Sequence, residues 1–156
     1  MGFPTPTGTN PITLTGVLLN AMTFWFFASP LERVIGPMRL TALYVFGLAI
    51  SDAGTWIRYR RDPNYASLGA SGAILAVLFA AIVYFPRQSI FILPIPVPIP
   101  APLFAICYLA YTFYAARQQR GRINHDAHFD GALAGLAFVA ATDPQTMLRA
   151  WHSVLG

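Results

Sequence analysis

The sequence is poor in charge. Only 10% of its 156 residues are charged and lysine is absent, so ten arginines and six acids supply every fixed charge. A soluble domain carries about 25% charged residues, and this chain has too few to cover a water-facing surface. A soluble enzyme and a disordered tail are both excluded. Cysteine is scarce as well. Cys107 stands alone, which rules out an intramolecular disulfide and leaves the redox compartment open. No basic segment opens the chain, so no cleavable signal peptide is expected. The net charge of +4 is not a nucleic-acid signature, because the arginines are scattered among loops. Anionic lipid head groups suit them better.

What is present is apolar: 56% of the residues, with a mean hydropathy of +0.54. A membrane-crossing helix takes about 20 residues, and hydropathy marks five candidates separated by charged loops. They cover about 11–29, 40–57, 66–85, 102–116 and 127–142. The expected fold is an all-α polytopic membrane protein, one domain over 1–156. Span one is expected to stop at Pro30, leaving Leu31–Arg39 as a loop. Between spans three and four, Pro94, Pro96, Pro98, Pro100 and Pro102 remove a backbone donor at every second position. That stretch is expected to be extended or polyproline-like and to lie at an interface. Asp143-Pro144 reads as an N-cap followed by proline at the first helical position. In the tail 143–156, Met147, Leu148, Trp151, Val154 and Leu155 share one helical face, as in a helix lying on a membrane surface.

Polar groups inside a membrane are costly and therefore candidates for function. Six serines and three histidines make eighteen pairs, so the pairing alone proves nothing. Ser71 stands out because glycines flank it in Gly69-Ala70-Ser71-Gly72. With span three starting near Ala66, Ser71 falls roughly 7–8 Å inside it. His128 lies just inside span five, which runs parallel to span three, so both residues approach the same membrane face. Gly72, Ala76 and Ala80 form a small-residue stripe on span three, and Gly131 and Gly135 form another on span five. Such faces let helices come close in lipid. A serine and a histidine at matched depth on close parallel helices are what a nucleophile and its base require. Packing alone is the plainer use of the same glycines, and a serine in a span often bonds its own helix. Asn20, in the middle of span one, carries an amide donor suited to an oxyanion hole or to joining helices.

On these residues the chain resembles the rhomboid family of intramembrane serine proteases. Gly69-Ala70-Ser71-Gly72 is similar to the family's GxSG. Ala127-His128-Phe129-Asp130-Gly131 with Gly135 is similar to its AHxxGxxxG, and Leu31-Glu32-Arg33 with Gly36 to its LE…G turn. The resemblance runs from about residue 11 to 140, and it leaves the family's first core helix without a counterpart. It implies a Ser71–His128 dyad with no acidic third member, and an oxyanion hole from the Asn20 side chain and the Ser71 backbone N–H. It also implies transmembrane protein substrates and neither metal nor cofactor. Three positions depart from the family pattern. Gly16 stands where a histidine often assists the oxyanion hole, Leu75 where an aromatic ring often stacks on the catalytic histidine, and Asp130 where a small residue is usual.

Asp130 lies two residues, about 200° of helical turn, from His128 and should face elsewhere. His125 is expected in a loop, exposed to solvent. Six arginines lie on the Ser71 side and four on the other, which by the positive-inside rule puts the site in the cytoplasm. The resemblance puts it outside and is preferred, with the cell membrane as the location. A serine endopeptidase is the expected activity. The alternative is an inactive rhomboid-like protein that binds client helices. A transporter using Asp130 and His128 has little support, since no inverted repeat is visible.

Overall fold

The computed structural model describes residues 11–61, 70–92, 95–118 and 125–155. Its order is α1 (Pro11–Ile35), α2 (Pro37–Tyr59), α3 (Ser71–Tyr84), β1 (Ser89–Ile92), β2 (Ile95–Pro100), α4 (Ala101–Gln118), α5 (His125–Thr142) and α6 (Pro144–Leu155). Expectations that rest on Gly69, on residues 66–69, or on Pro94, Arg120 and Arg122 lie outside the described residues.

α3 is the axle of the bundle. It is apolar all round, and every residue from Gly72 to Val83 is buried, as a helix without a polar face must be. α1, α2, α4 and α5 surround it. Their outer faces stay apolar too: Leu18, Trp25, Phe26, Val45, Ile57, Ile106 and Tyr114 are all exposed. Water is a poor solvent for so wide an apolar belt, and lipid is a good one. α1 from Leu14 and α2, at 22 and 23 residues, are each long and apolar enough to cross a membrane.

α1 does not stop at Pro30. It runs on to Ile35, and the expected loop Leu31–Arg39 is mostly helix. The proline costs one backbone hydrogen bond, while the next residue, Leu31, is completely buried in the core with Ala28 and Leu43. Packing outweighs the lost bond. The chain turns instead at Gly36, whose φ of 80° belongs to glycine, and Pro37 opens α2.

The proline run is extended, as one of the two expected forms, and pairs as a hairpin rather than standing as a polyproline segment. β1 pairs antiparallel with β2, with Ser89 opposite Pro100, Ile90 opposite Ile99 and Phe91 opposite Pro98. Antiparallel ladders alternate between hydrogen-bonded and non-bonded pairs. The Ala101 N–H donates to the Gln88 carbonyl at 3.0 Å, which sets the bonded pairs at 88–101 and 90–99. Pro98 and Pro100 therefore occupy non-bonded positions, where an N–H is not needed. Prolines of one parity leave the other parity free to pair.

At the far end, Asp143 caps α6 by accepting from the Thr146 backbone N–H at 3.1 Å and from its hydroxyl at 2.8 Å. The apolar face of α6 is divided: Met147 and Ala150 pack on the core, while Leu148, Trp151 and Val154 stay exposed.

Candidate active site

Ser71 is the first residue of α3, with Ala70 as the N-cap. It opens the helix rather than lying a turn within it. The leading N–H groups of a helix have no carbonyl four residues back within that helix, so Ser71, Gly72 and Ala73 present donors at its positive end. His128 lies in the first turn of α5, which begins at His125. Both side chains are half-buried.

Glycine joins the two helices. A Cβ on Gly131 would collide with the Gly72 carbonyl and stand 2.7 Å from the Gly72 Cα. One on Gly135 would strike the Ala76 carbonyl, and one on Gly72 would lie 3.0 Å from the Ala127 carbonyl. The backbones of α3 and α5 thus meet without intervening side chains. The crossing lies at Gly72 and Ala127, the immediate neighbours of Ser71 and His128. Across α3, Gly47 of α2 makes an equally close approach to Ala76 and Ala73.

No direct hydrogen bond joins Ser71 to His128 among the described residues. Nucleophile–base contacts in unliganded sites are often long and tighten around substrate. The partner His128 does have is on α4: the Tyr108 hydroxyl lies 3.3 Å from its Nδ1. A tyrosine hydroxyl both donates and accepts: if it accepts from Nδ1–H, Nε2 is left as the proton acceptor, and if it donates to Nδ1, Nε2 carries the proton. The phenol ring is itself held by Phe104, stacked at 5.5 Å, and by Phe79 at 5.9 Å.

Tyr108 was not evident in the sequence, where only its position as a phenol inside an apolar span set it apart. Leu75, one turn after Ser71, packs with Leu78, Phe79 and Ile82 in the cluster against which Tyr108 rests. The aromatic neighbour of the histidine therefore comes from α4. Ser51, Thr55 and Thr112 are further buried polar residues that the sequence did not single out. Thr112 bonds carbonyls of its own helix. Ser51 bonds the Leu48 carbonyl while its side chain abuts Gly72.

Asp130 faces away from Tyr108. It makes a bidentate pair with Arg58 of α2, at 2.5 and 3.1 Å, in room left by Gly54. Arg58 also approaches Asp126 at 3.8 Å, and the Tyr59 hydroxyl donates to Asp126 at 2.5 Å. These contacts fasten the first two turns of α5 to the end of α2. His128 looks toward α4 and Asp130 toward α2.

His125 differs from its expected place. It is helical, half-buried and edge-on to Tyr111 at 5.5 Å, and its buried Nδ1 has no partner among the described residues. Asn20 is half-buried and lines a cleft of about 390 Å³ with Phe24, Tyr44 and Ile74. Ile74, the third residue after Ser71, lines the same cleft, but Asn20 bonds neither member of the pair. Gly16 faces open space. Among the described residues no group of acids, histidines and cysteines could hold a metal ion.

The family profile of the Rhomboid domain matches residues 12–144. The chain belongs to the rhomboid family. Its fold is accordingly a helical polytopic membrane fold, as the charge-poor composition implied. This rhomboid chain is 26% identical to the mouse presenilin-associated rhomboid-like protein, mitochondrial, an alignment covering 86% of the chain and 38% of that protein. It is 27% identical to rhomboid protein 1, mitochondrial, of Saccharomyces cerevisiae over 77% of the chain and 36% of that protein. Similarity to the putative rhomboid protease YdcA of Bacillus subtilis is 36% identity over 40% of the chain and 31% of that protein. The chain thus spans under two-fifths of the length of these relatives. No solved structure gives a significant match.

Proposed function

We propose that this rhomboid is an intramembrane serine endopeptidase that cleaves transmembrane protein substrates through Ser71 and His128. The observation that carries this reading is the glycine-lined crossing, where a Cβ on Gly72 would crowd the Ala127 carbonyl and the adjoining residues are the serine and the histidine. The Ser71 hydroxyl attacks the scissile carbonyl as His128 Nε2 takes its proton. His128 then returns the proton to the leaving amine. Water hydrolyses the acyl-enzyme by the same steps in reverse roles. Negative charge on the tetrahedral oxygen is met by the Ser71 N–H at the α3 terminus and by the Asn20 amide, once the cleft closes on substrate. Tyr108 orients the imidazole, and this sequence of transfers needs its oxygen to accept from Nδ1–H.

The inactive, client-binding reading draws on Gly16, which offers no side-chain donor, and on the missing Ser71–His128 bond. Reconstitution with a transmembrane substrate carrying helix-weakening residues separates the two. The protease reading expects a cleavage product that falls by orders of magnitude in Ser71→Ala and in His128→Ala. Undiminished substrate binding with no product from the unmodified protein would establish the other. The bilayer is proposed to be the cell membrane; imaging against a mitochondrial marker tests this, since the mouse and yeast relatives are named as mitochondrial.

A further inference from the structure

The end of the bundle away from Ser71 holds a second concentration of charge. There a cleft of about 690 Å³ opens between the start of α2, the turn after α3 and α6. Arg39, Arg87 and Arg149 line it from three separate parts of the chain, together with Gln88 and Ser153. Three guanidiniums around one cleft repel one another unless an anion lies between them. The acid in the cleft is Asp143, which accepts from Thr146 and from the Tyr84 hydroxyl at 3.1 Å and attracts Arg149, so one anion faces three cations and positive charge is in surplus. Arg39 and Arg87 have no hydrogen bond or ion pair among the described residues, and Arg149 has only a long one from Nε to the Gln145 carbonyl at 3.4 Å. Most of the donors facing the cleft are unspent.

α6 fixes the height of the cleft relative to lipid. One flank of this helix exposes Leu148 and Trp151, at 59% and 63%. The opposite flank turns Arg149 and Ser153 into the cleft. A helix with this division rests at the membrane boundary, its apolar flank toward the acyl chains and its tryptophan at the level of the head groups. The arginines then lie where lipid phosphates lie.

We infer that the cleft formed by Arg39, Arg87 and Arg149 binds the phosphate head group of an anionic phospholipid. Guanidiniums match phosphate oxygens in forked pairs, and the Gln88 side chain can meet a remaining oxygen; the Ser153 hydroxyl already donates to the Ala150 carbonyl at 2.8 Å. A zwitterionic lipid brings its own ammonium into a site that already holds surplus positive charge, so it binds less well. The acyl chains add burial along α6 that a soluble phosphate lacks.

The test uses the full chain purified in a neutral detergent, with thermal unfolding followed as phosphatidylglycerol, phosphatidylcholine or glycerol phosphate is added. Phosphatidylglycerol should raise the melting temperature, the other two should not, and added salt should shrink the rise. Arg39→Gln/Arg87→Gln/Arg149→Gln should lose the rise, while Arg33→Gln, at the same end but outside the cleft, should keep it. Should the triple variant fail to fold, native mass spectrometry of the single variants reads the same quantity. Each change should lower phosphatidylglycerol affinity roughly fivefold. An equal rise with phosphatidylcholine would overturn the inference. So would an equal loss in Arg33→Gln, or an equal rise with glycerol phosphate, which would mark a site for free phosphate.

Discussion

α5 meets two neighbours in two different ways. Against α3 it presents glycine, and backbone touches backbone at Gly131–Gly72 and Gly135–Ala76. Against α4 it presents rings: Phe129 to Phe113, His125 to Tyr111, and His128 to the Tyr108 hydroxyl. A backbone contact has no rotamers and cannot yield, whereas rings can tilt and a hydroxyl can swing away. The positions of Ser71 and His128 relative to each other are therefore fixed by the rigid contact. The orientation of the imidazole depends on the adaptable one. Position and orientation can be disturbed separately.

The rigid side gives the largest expected effect. In Gly131→Val the new carbons have only the Gly72 carbonyl to displace, so the cost should exceed ~3 kcal/mol, the upper range of overpacking. Loss of a monodisperse peak in detergent and an unfolding midpoint below that of the unmodified protein would show it. An unchanged midpoint would mean that α3 and α5 do not meet through glycine. On the adaptable side, Tyr108→Phe keeps the ring stack and deletes only the hydroxyl. Catalysis should fall roughly tenfold, a part of what a positioned base supplies, with the loss in kcat and an unchanged KM and melting temperature. A loss confined to KM would instead put Tyr108 in substrate binding.

The next effect concerns pH at the junction of α5 and α6. The Thr146 hydroxyl and backbone N–H hold the Asp143 carboxyl below its ordinary value. A depressed carboxylate stabilises the fold above its unfolded pKa, and that contribution is lost as pH falls through the lowered folded value. α6 should loosen in acid below the ordinary carboxylate range, read by the fluorescence of Trp151 against Trp25 and Trp56 controls. Asp143→Asn should make this part of the profile flat. The smallest effect is at Gly16, a glycine inside α1 with nothing near it. Gly16→Ala should be neutral or stabilising by at most ~1 kcal/mol, from helix propensity alone. Set beside Gly131, it shows that contact decides the sensitivity of a glycine.

Much of the fold was legible because it depends on local composition. Charge scarcity and hydropathy pointed to an all-α membrane fold, and Asp143-Pro144 marked the start of α6. The misreadings came where tertiary contacts decide. Pro30 looks like a stop until Leu31 is seen buried in the core. The proline run reads as extended or polyproline-like, and only the parity of Pro98 and Pro100 against the ladder decides between the two. His125 sits in a polar stretch, yet Tyr111 and His128 draw it into the first turn of α5. In the site, the glycines of the two stripes are those at which the backbones meet. Tyr108 was hidden because its partner lies 20 residues away on another helix, and no local signal encodes such a contact.

The reaction of Ser71 with a fluorophosphonate probe in detergent tests the central claim most directly. Such a probe labels a serine only when a base activates it. The account predicts labelling of the unmodified protein that mass spectrometry maps to Ser71, abolished in Ser71→Ala and in His128→Ala. Equal labelling of Ser71→Ala, or no labelling of a folded unmodified protein, would contradict it.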